Sequence, residues 1–252
     1  MLKVDHLTLR FEGLVATNNV SIEVEDHLVT ALIGPNGAGK TTLFNQIAGV
    51  YKPESGKIIF DGEDITGLKP YQICRKGITR TYQVIKLFSK MSALDNVLVG
   101  MHTNLDQNFW QDLFHTRKMR INEKHALEKA HQLLKLVGLE LYAAYPAGAL
   151  AYGQQRLLEI ARALASDPKL ILLDEPAAGM NSTEKVELNN RIRQIIKTGV
   201  TVLLVEHDMS LVMNVADKIY VLNSGSNLAE GTPEEIAHNQ KVIEAYLGSG
   251  EY

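Results

Sequence analysis

Leu28-Val29-Thr30-Ala31-Leu32-Ile33, running directly into Gly34-Pro35-Asn36-Gly37-Ala38-Gly39-Lys40-Thr41-Thr42, reads as a strand, a glycine-rich turn and the start of a helix. The near-continuous apolar run is the pattern of a strand covered on both faces. Gly34–Thr41 fits the spacing Gly-x-x-x-x-Gly-Lys-Ser/Thr. Glycines there let successive backbone N–H groups turn inward onto phosphates, and the helix N-terminus adds a favourable dipole. Lys40 would reach the terminal phosphates, Thr41 would hold Mg²⁺ through its hydroxyl, and Thr42 completes the phosphate-binding set. A solvated lysine in a plain turn is the competing reading, and the strand–loop–helix context argues against it.

Outward from this loop, Val4–Phe11 and Val20–Val24 alternate as half-buried antiparallel strands do. Lys57–Phe60 predicts another strand closed by the turn Asp61-Gly62, and Lys40–Ala48 a helix. From about residue 85 to 150 the period changes: Ala126, Leu127, Ala130, Leu133, Leu134 and Val137 mark an amphipathic helix over Glu123–Val137. His102–Arg120 has little pattern and reads as an insertion in a helical sub-lobe. Strands over Leu170–Leu173, Thr201–Val205 and Lys218–Leu222 follow, with helices over Arg156–Ala165, Ser182–Lys197, Pro233–Ala237 and Val242–Leu247 and a hairpin return at Gly225–Glu230. Alternating strands and helices predict an α/β fold with a mostly parallel core sheet. The expected plan is one domain over 1–252. Its core with the antiparallel β part takes 1–84 and 156–231, the helical sub-lobe 85–155, and a helical tail 232–252.

Leu170-Ile171-Leu172-Leu173-Asp174-Glu175 is a second chemical signal. An apolar strand delivers Asp174 to position Mg²⁺ and Glu175 to orient or deprotonate the attacking water. Alone, such an ending is often only a polar strand terminus; paired with the phosphate loop it reads as nucleotide hydrolysis.

Composition narrows the class. The chain has 252 residues, 45% hydrophobic and 22% charged, with a net charge of -3, so no basic field marks a nucleic-acid binder. Cys74 is the only cysteine, which fits a reducing compartment. No apolar run approaches the roughly 18–20 residues of a membrane span, and Met1–His6 reads as a first strand rather than a signal peptide.

Four further segments occur in a fixed order: Thr81-Tyr82-Gln83, Leu150-Ala151-Tyr152-Gly153-Gln154-Gln155-Arg156, Ala178-Gly179-Met180-Asn181, and Val205-Glu206-His207-Asp208. With the phosphate loop and Asp174-Glu175 they make the chain resemble, end to end, the ABC ATPase family. That resemblance implies ATP and Mg²⁺ as ligands. It places Phe11 against adenine, Gln83 in the Q-loop touching Mg²⁺ and the attacking water, and His207 as the switch histidine beside Glu175. Leu150-Ala151-Tyr152-Gly153-Gln154 resembles the signature segment, offered to the ATP of a second subunit in a head-to-tail dimer. Ala178–Asn181 matches the D-loop.

The signature departs from the usual Leu-Ser-Gly-Gly-Gln: Ala151 has no hydroxyl, which leaves backbone N–H groups around Gly153 to face the phosphate. These departures, with Asp174-Glu175-Pro176-Ala177-Ala178-Gly179-Met180-Asn181 and Arg80–Gln83, resemble the ATPases of branched-chain amino-acid importers, the LivG type. The implied partners are a second ATPase subunit (a heterodimer over a homodimer), membrane permease subunits and, indirectly, an extracytoplasmic solute-binding protein, with no nucleic acid. The implied location is peripheral, on the cytoplasmic face of the inner membrane. A non-transport ABC ATPase acting on nucleic acid or ribosomes would need a coiled-coil insertion or a second cassette. A phosphate-loop kinase or GTPase would lack the signature and switch-histidine segments.

Overall fold

The computed structural model describes residues 1–101 and 117–247. In chain order the main elements are β1 (Leu2–Phe11), β2 (Leu14–Val24), β3 (Val29–Ile33), α1 (Lys40–Ile47), β4 (Ser55–Phe60), β5 (Glu63–Asp64), α2 (Pro70–Arg75), β6 (Ile78–Arg80) and α3 (Ala93–Gly100). Then follow α4 (Arg117–Leu136), α5 (Tyr152–Leu164), β7 (Leu170–Asp174), α6 (Ser182–Lys197), β8 (Thr201–Val205), α7 (Met209–Val215), β9 (Lys218–Asn223), β10 (Ser226–Gly231), α8 (Pro233–Ala237) and α9 (Gln240–Leu247).

Two sheets share the work. β2-β1-β4-β5 is antiparallel, and β10-β9-β3-β8-β7-β6 is parallel except for the edge strand β10. Every residue of β3, β7 and β8 is buried, which is why these strands carry unbroken apolar runs. One face of the parallel sheet (Leu32, Leu172, Leu203, Val205) packs with Leu43, Phe44 and Ile47 of α1 and with Leu7, Val20 and Ile58 of the antiparallel sheet. The other face (Val29, Ile171, Leu173, Val202, Leu204) packs against Val97, Leu134, Leu158 and Ile192 on four helices. The phosphate-loop helix is thereby fixed between two sheets, and the helical part is fixed to the opposite face.

The structure shifts some sequence expectations. β1 and β2 run longer than their alternation suggested, because bulges interrupt their register and break the period of two. α5 starts at Tyr152 rather than Arg156: Gln154 Oε1 accepts the Ala151 N–H at 3.0 Å and caps the helix there. The signature residues after Ala151 therefore lie in the first helical turn. α4 begins at Arg117, so Arg117–Arg120 are helical, and 102–116 lie outside the described residues. α2, α3, α7, β5 and β6 were not anticipated.

α7 owes its start to Asp208, whose Oδ1 accepts the Leu211 N–H at 3.0 Å. A hydrogen bond from Lys185 holds the Asp208 carboxyl below its ordinary range, against the opposing effect of burial. With the folded pKa lowered, this stabilisation is present above the ordinary carboxylate range and is lost as pH falls through the lowered value. Asp208→Ala is expected to cost about 0.5–2 kcal/mol in urea unfolding at pH 7. The gap to the wild type should narrow in acid; an equal gap at both pH values would contradict the linkage.

Candidate functional site

The parallel strands aim their carboxyl ends at one region, where open α/β sheets bind ligands. β3 ends at Ile33, and the loop 34–39 follows. Gly34 has φ 149°, and a Cβ there would stand 2.1 Å from the Leu222 carbonyl oxygen. Gly39 has φ 96°, and its Cβ would meet the Ala16 carbonyl oxygen at 2.4 Å. Neither position accepts a side chain, because neighbouring backbones press against the loop. The turn after β9 pins it further: the Gly225 N–H donates to the Ala38 oxygen at 3.1 Å. Lys40 is buried, and its ammonium donates to the carbonyls of Gly34 at 2.6 Å and Pro35 at 3.0 Å. The loop thus carries its cation inside its own curve, and Thr41 opens α1 on the exposed side.

Asp174 closes β7 at 4% exposure, paired with Arg80, whose Nη2 lies 2.7 Å from Oδ2. The same guanidinium reaches Asn45 Oδ1 on α1 at 2.6 Å and sits near the rings of Phe44 and Tyr82. Glu175 has φ 46°, a left-handed conformation that costs a side-chain-bearing residue about 1–3 kcal/mol. Its N–H is held by the Val205 carbonyl at 2.9 Å. Its Oε2 accepts Gln83 Nε2 at 2.9 Å and lies 4.0 Å from His207 Nδ1. Gln83 therefore bonds the Glu175 carboxylate, while the His207 ring stands near both Glu175 and Glu206, 3.8 Å from Glu206 Oε2, without bonding Glu175.

Buried polar groups that sequence reasoning missed hold these parts. Glu206, with no exposure, accepts the N–H groups of Ala177 at 2.8 Å, His207 at 3.0 Å and Asp208 at 3.2 Å. It ties the Glu175 loop to the His207 loop. Arg156, likewise unexposed, donates to the carbonyls of Tyr82 and Gln83, each at 2.7 Å, and pairs with Glu159 at 2.9 Å. No sequence signal marked their burial: Arg156 and Glu159 lie on an amphipathic helix, and Glu206 follows the last residue of β8.

Phe11 lies at the exposed end of β1, its ring edge-on to Tyr51 with centroids 5.2 Å apart, so it is not a core phenylalanine. Leu150 is buried and Ala151 exposed, and Tyr152 presents a half-exposed ring. Gly153 is buried against Glu184 of α6. Gly179, at φ 78°, packs on the Tyr152 ring, Met180 is buried, and Asn181 caps α6 by accepting the Glu184 N–H at 3.0 Å. The segments 150–154 and 178–181 thus lie side by side on one surface.

Hard oxygen donors suit Mg²⁺, which commonly completes its shell with substrate phosphates and water. Asp174 and Thr41 offer that chemistry, and among the described residues no group of three or more His, Cys, Asp or Glu forms an all-protein cage. Beside the site, a cleft of about 550 Å³ is lined by Val50, Tyr82, Lys86, Phe88, Val99 and Arg162, among others. No helix among the described residues is long and apolar enough to cross a membrane.

Comparison with known proteins agrees with this geometry. Residues 17–178 match the family described as ABC transporter, and residues 226–252 match the one described as branched-chain amino acid ATP-binding cassette transporter. The high-affinity branched-chain amino acid transport ATP-binding protein BraF of Pseudomonas aeruginosa is 50% identical over 249 residues, covering 98% of each chain. LivG of Escherichia coli, described in the same terms, is 45% identical over 249 residues with the same coverage. Among solved structures, the ADP conformation of an ATP-binding cassette of an ABC transporter superposes with a TM-score of 0.85 at 33% identity, covering 98% of both chains.

Proposed function

The chain belongs to the ABC transporter family of ATP-binding cassettes, and from that premise we propose that it is the ATP-hydrolysing subunit of an importer for branched-chain amino acids. The near-full-length identity to BraF and LivG supports the solute class. The observation that carries the chemistry is the hydrogen bond from Gln83 to Glu175, with His207 4.0 Å from the same carboxylate, at the strand ends beside the phosphate loop.

The geometry supports the following roles. The loop N–H groups of Gly34–Gly39 and the Lys40 ammonium take the phosphates, with Lys40 exchanging its carbonyl partners for phosphate oxygens. Phe11 takes the adenine ring. Asp174 and Thr41, with Gln83, would hold Mg²⁺, which would supply charge neutralisation on the phosphates. Glu175 orients the attacking water and accepts its proton, and His207 steadies Glu175. Leu150–Gln154 and Ala178–Asn181 face the nucleotide of a second subunit, so each site is completed across a dimer. With Ala151 lacking a hydroxyl, the signature acts through backbone N–H groups and the α5 dipole.

A permease segment docks in the cleft beside Gln83, where Tyr82, Val84 and Phe88 expose large apolar surface next to the residue that touches Glu175. The chain sits on the cytoplasmic face of the membrane through that contact and works with a different ATPase as a heterodimer, while a solute-binding protein acts on the far side. The proposed division is a helical sub-lobe over 85–155 and a tail over 232–252, although Val97 and Leu134 of the sub-lobe share one apolar cluster with Ile171, Val202 and Ile192 of the core.

The test is genetic and biochemical. Deleting the gene should remove most high-affinity uptake of labelled leucine, and the wild-type chain should restore it. The purified chain should co-purify with permease subunits. Unchanged leucine uptake would overturn the solute class; tight binding to ribosomes or duplex DNA with no permease association would overturn import itself.

A further inference from the structure

Two residues at the start of α5 each touch one end of the segment 178–181. The Tyr152 ring covers Gly179, so closely that a Cβ on Gly179 would stand 3.0 Å from a ring carbon. Gly153 lies against Glu184, whose carboxylate accepts the Asn181 N–H at 2.9 Å. Met180, between those two ends, is buried in the same apolar cluster as Leu150. Gly179 has φ 78°, a conformation it adopts freely because it has no Cβ, so it is the point at which 178–181 can hinge. The Tyr152 hydroxyl is turned toward the buried Arg156, 3.5 Å from its Nη2, so the cover over Gly179 is made by ring carbons alone. Tyr152 itself remains 46% exposed.

We propose that Tyr152 is a positioning residue that offsets the missing hydroxyl at Ala151: by pinning Gly179, its ring holds 150–154 and 178–181 as one preformed face for the nucleotide of the second subunit. This rests on the ATPase reading above and on the dimer in which that face is used. Association pays for ordering every loop that must settle at the interface, and a loop already held in its bound form escapes that cost. A tyrosine ring suits the task because it brings a large, rigid contact area with few rotatable bonds. A glycine at position 152, as in the usual signature, would leave the Gly179 hinge uncovered. A serine at position 151 would give the phosphate a hydroxyl that this chain does not have. The departures at 151 and 152 are thereby one adjustment: a direct hydrogen bond is given up, and a preorganised surface takes its place.

The experiment compares the full chain as wild type, Tyr152→Phe, Tyr152→Gly, and Tyr152→Gly combined with Ala151→Ser. Amide hydrogen exchange over 178–181 and affinity for a fluorescent ATP analogue are read on the chain alone. The ATP concentration for half-maximal hydrolysis is read in the permease complex. Tyr152→Gly should speed exchange over 178–181 by at least about tenfold, since the hinge then opens locally. It should bind the analogue within about twofold of wild type, because its own phosphate loop is untouched, yet need at least about fivefold more ATP for half-maximal hydrolysis. Tyr152→Phe keeps the ring and should match wild type in all three readings. Adding Ala151→Ser to Tyr152→Gly should return the ATP requirement to within about twofold of wild type while exchange stays fast. Unchanged exchange in Tyr152→Gly would end the proposal, as would a Tyr152→Phe that behaves like Tyr152→Gly. A double variant whose ATP requirement stays high would overturn the compensation. If glycine loosens the first turn of α5, Tyr152→Ala, a better helix former, decides by the same criteria. A wild-type complex that hydrolyses no ATP would instead remove the ATPase reading, with the exchange results left standing.

Discussion

Glu175→Gln is expected to leave ATP bound while lowering turnover by about 10²- to 10⁴-fold, the range that a positioned general base contributes. The amide matches the carboxylate in size. Its oxygen can still accept Gln83 Nε2, now at 2.9 Å from Oε2, so the local geometry survives. What is lost is the negative charge that takes a proton from water. ATP should then stay trapped between subunits, and gel filtration should show a dimer that forms with ATP and dissolves with ADP. Turnover at the wild-type rate would remove Glu175 from the reaction.

Arg80→Ala carries the second large effect. Asp174 is 4% exposed and its charge is met by Arg80 Nη2 at 2.7 Å, with Arg80 itself anchored on Asn45 at 2.6 Å. Truncating one member of a buried pair strands the other, which costs about 3–5 kcal/mol. Urea unfolding without nucleotide should show that loss. Mg²⁺ with ATP should recover part of it, because a bound ligand favours the folded state and the cation gives Asp174 a new counter-charge. A loss under about 1 kcal/mol, below the range for a buried pair, would mean that solvent already reaches Asp174.

The legible parts of this chain are those where chemistry is local. The phosphate loop announces itself because turn, charge and helix start are contiguous from Gly34 to Thr41. β7 and β8 stand out because burial on both faces leaves only one end residue of each, Asp174 and Thr201, polar. α6 matched its expected bounds, Ser182–Lys197, and the structure shows it starting on a capping box of Asn181 and Glu184. α3 was missed although Ser92 and Asp95 carry a comparable cap, because eight residues are too few to show a period clearly. β6, with three residues, leans on the register of β7 rather than on its own composition.

In the site, Asp174 and Glu175 were suggested by the apolar strand they end, whereas Gln83, after the unanticipated β6, and His207 were suggested only by the resemblance of their segments to the ABC ATPase family. Arg80, Asn45, Arg156, Glu159 and Glu206 could not be read. Arg80 meets Asp174 only after the sheet has aligned β6 with β7. Arg156 lies on an amphipathic helix where a charged residue suggests solvent, and only the Q-loop carbonyls make its burial tolerable. The start of α5 was misplaced for a related reason: alanine is a weak cap, and the compensation comes from a side chain within the helix.

The position of β3 has a bearing on how the molecule is made. The strand that carries the phosphate loop is bordered by β8 at Thr201–Val205 and by β9 at Lys218–Asn223, both encoded far downstream of Ile33. At about 5–20 residues per second on the ribosome, those neighbours follow after roughly 10 to 30 s. Until then β3 has two open edges, and α1 has a sheet on only one side. The nascent chain therefore emerges with its nucleotide loop attached to an unfinished strand. For this protein, competence to bind ATP is acquired late in synthesis, and the interval before it is when the chain most depends on being shielded from other unpaired strands.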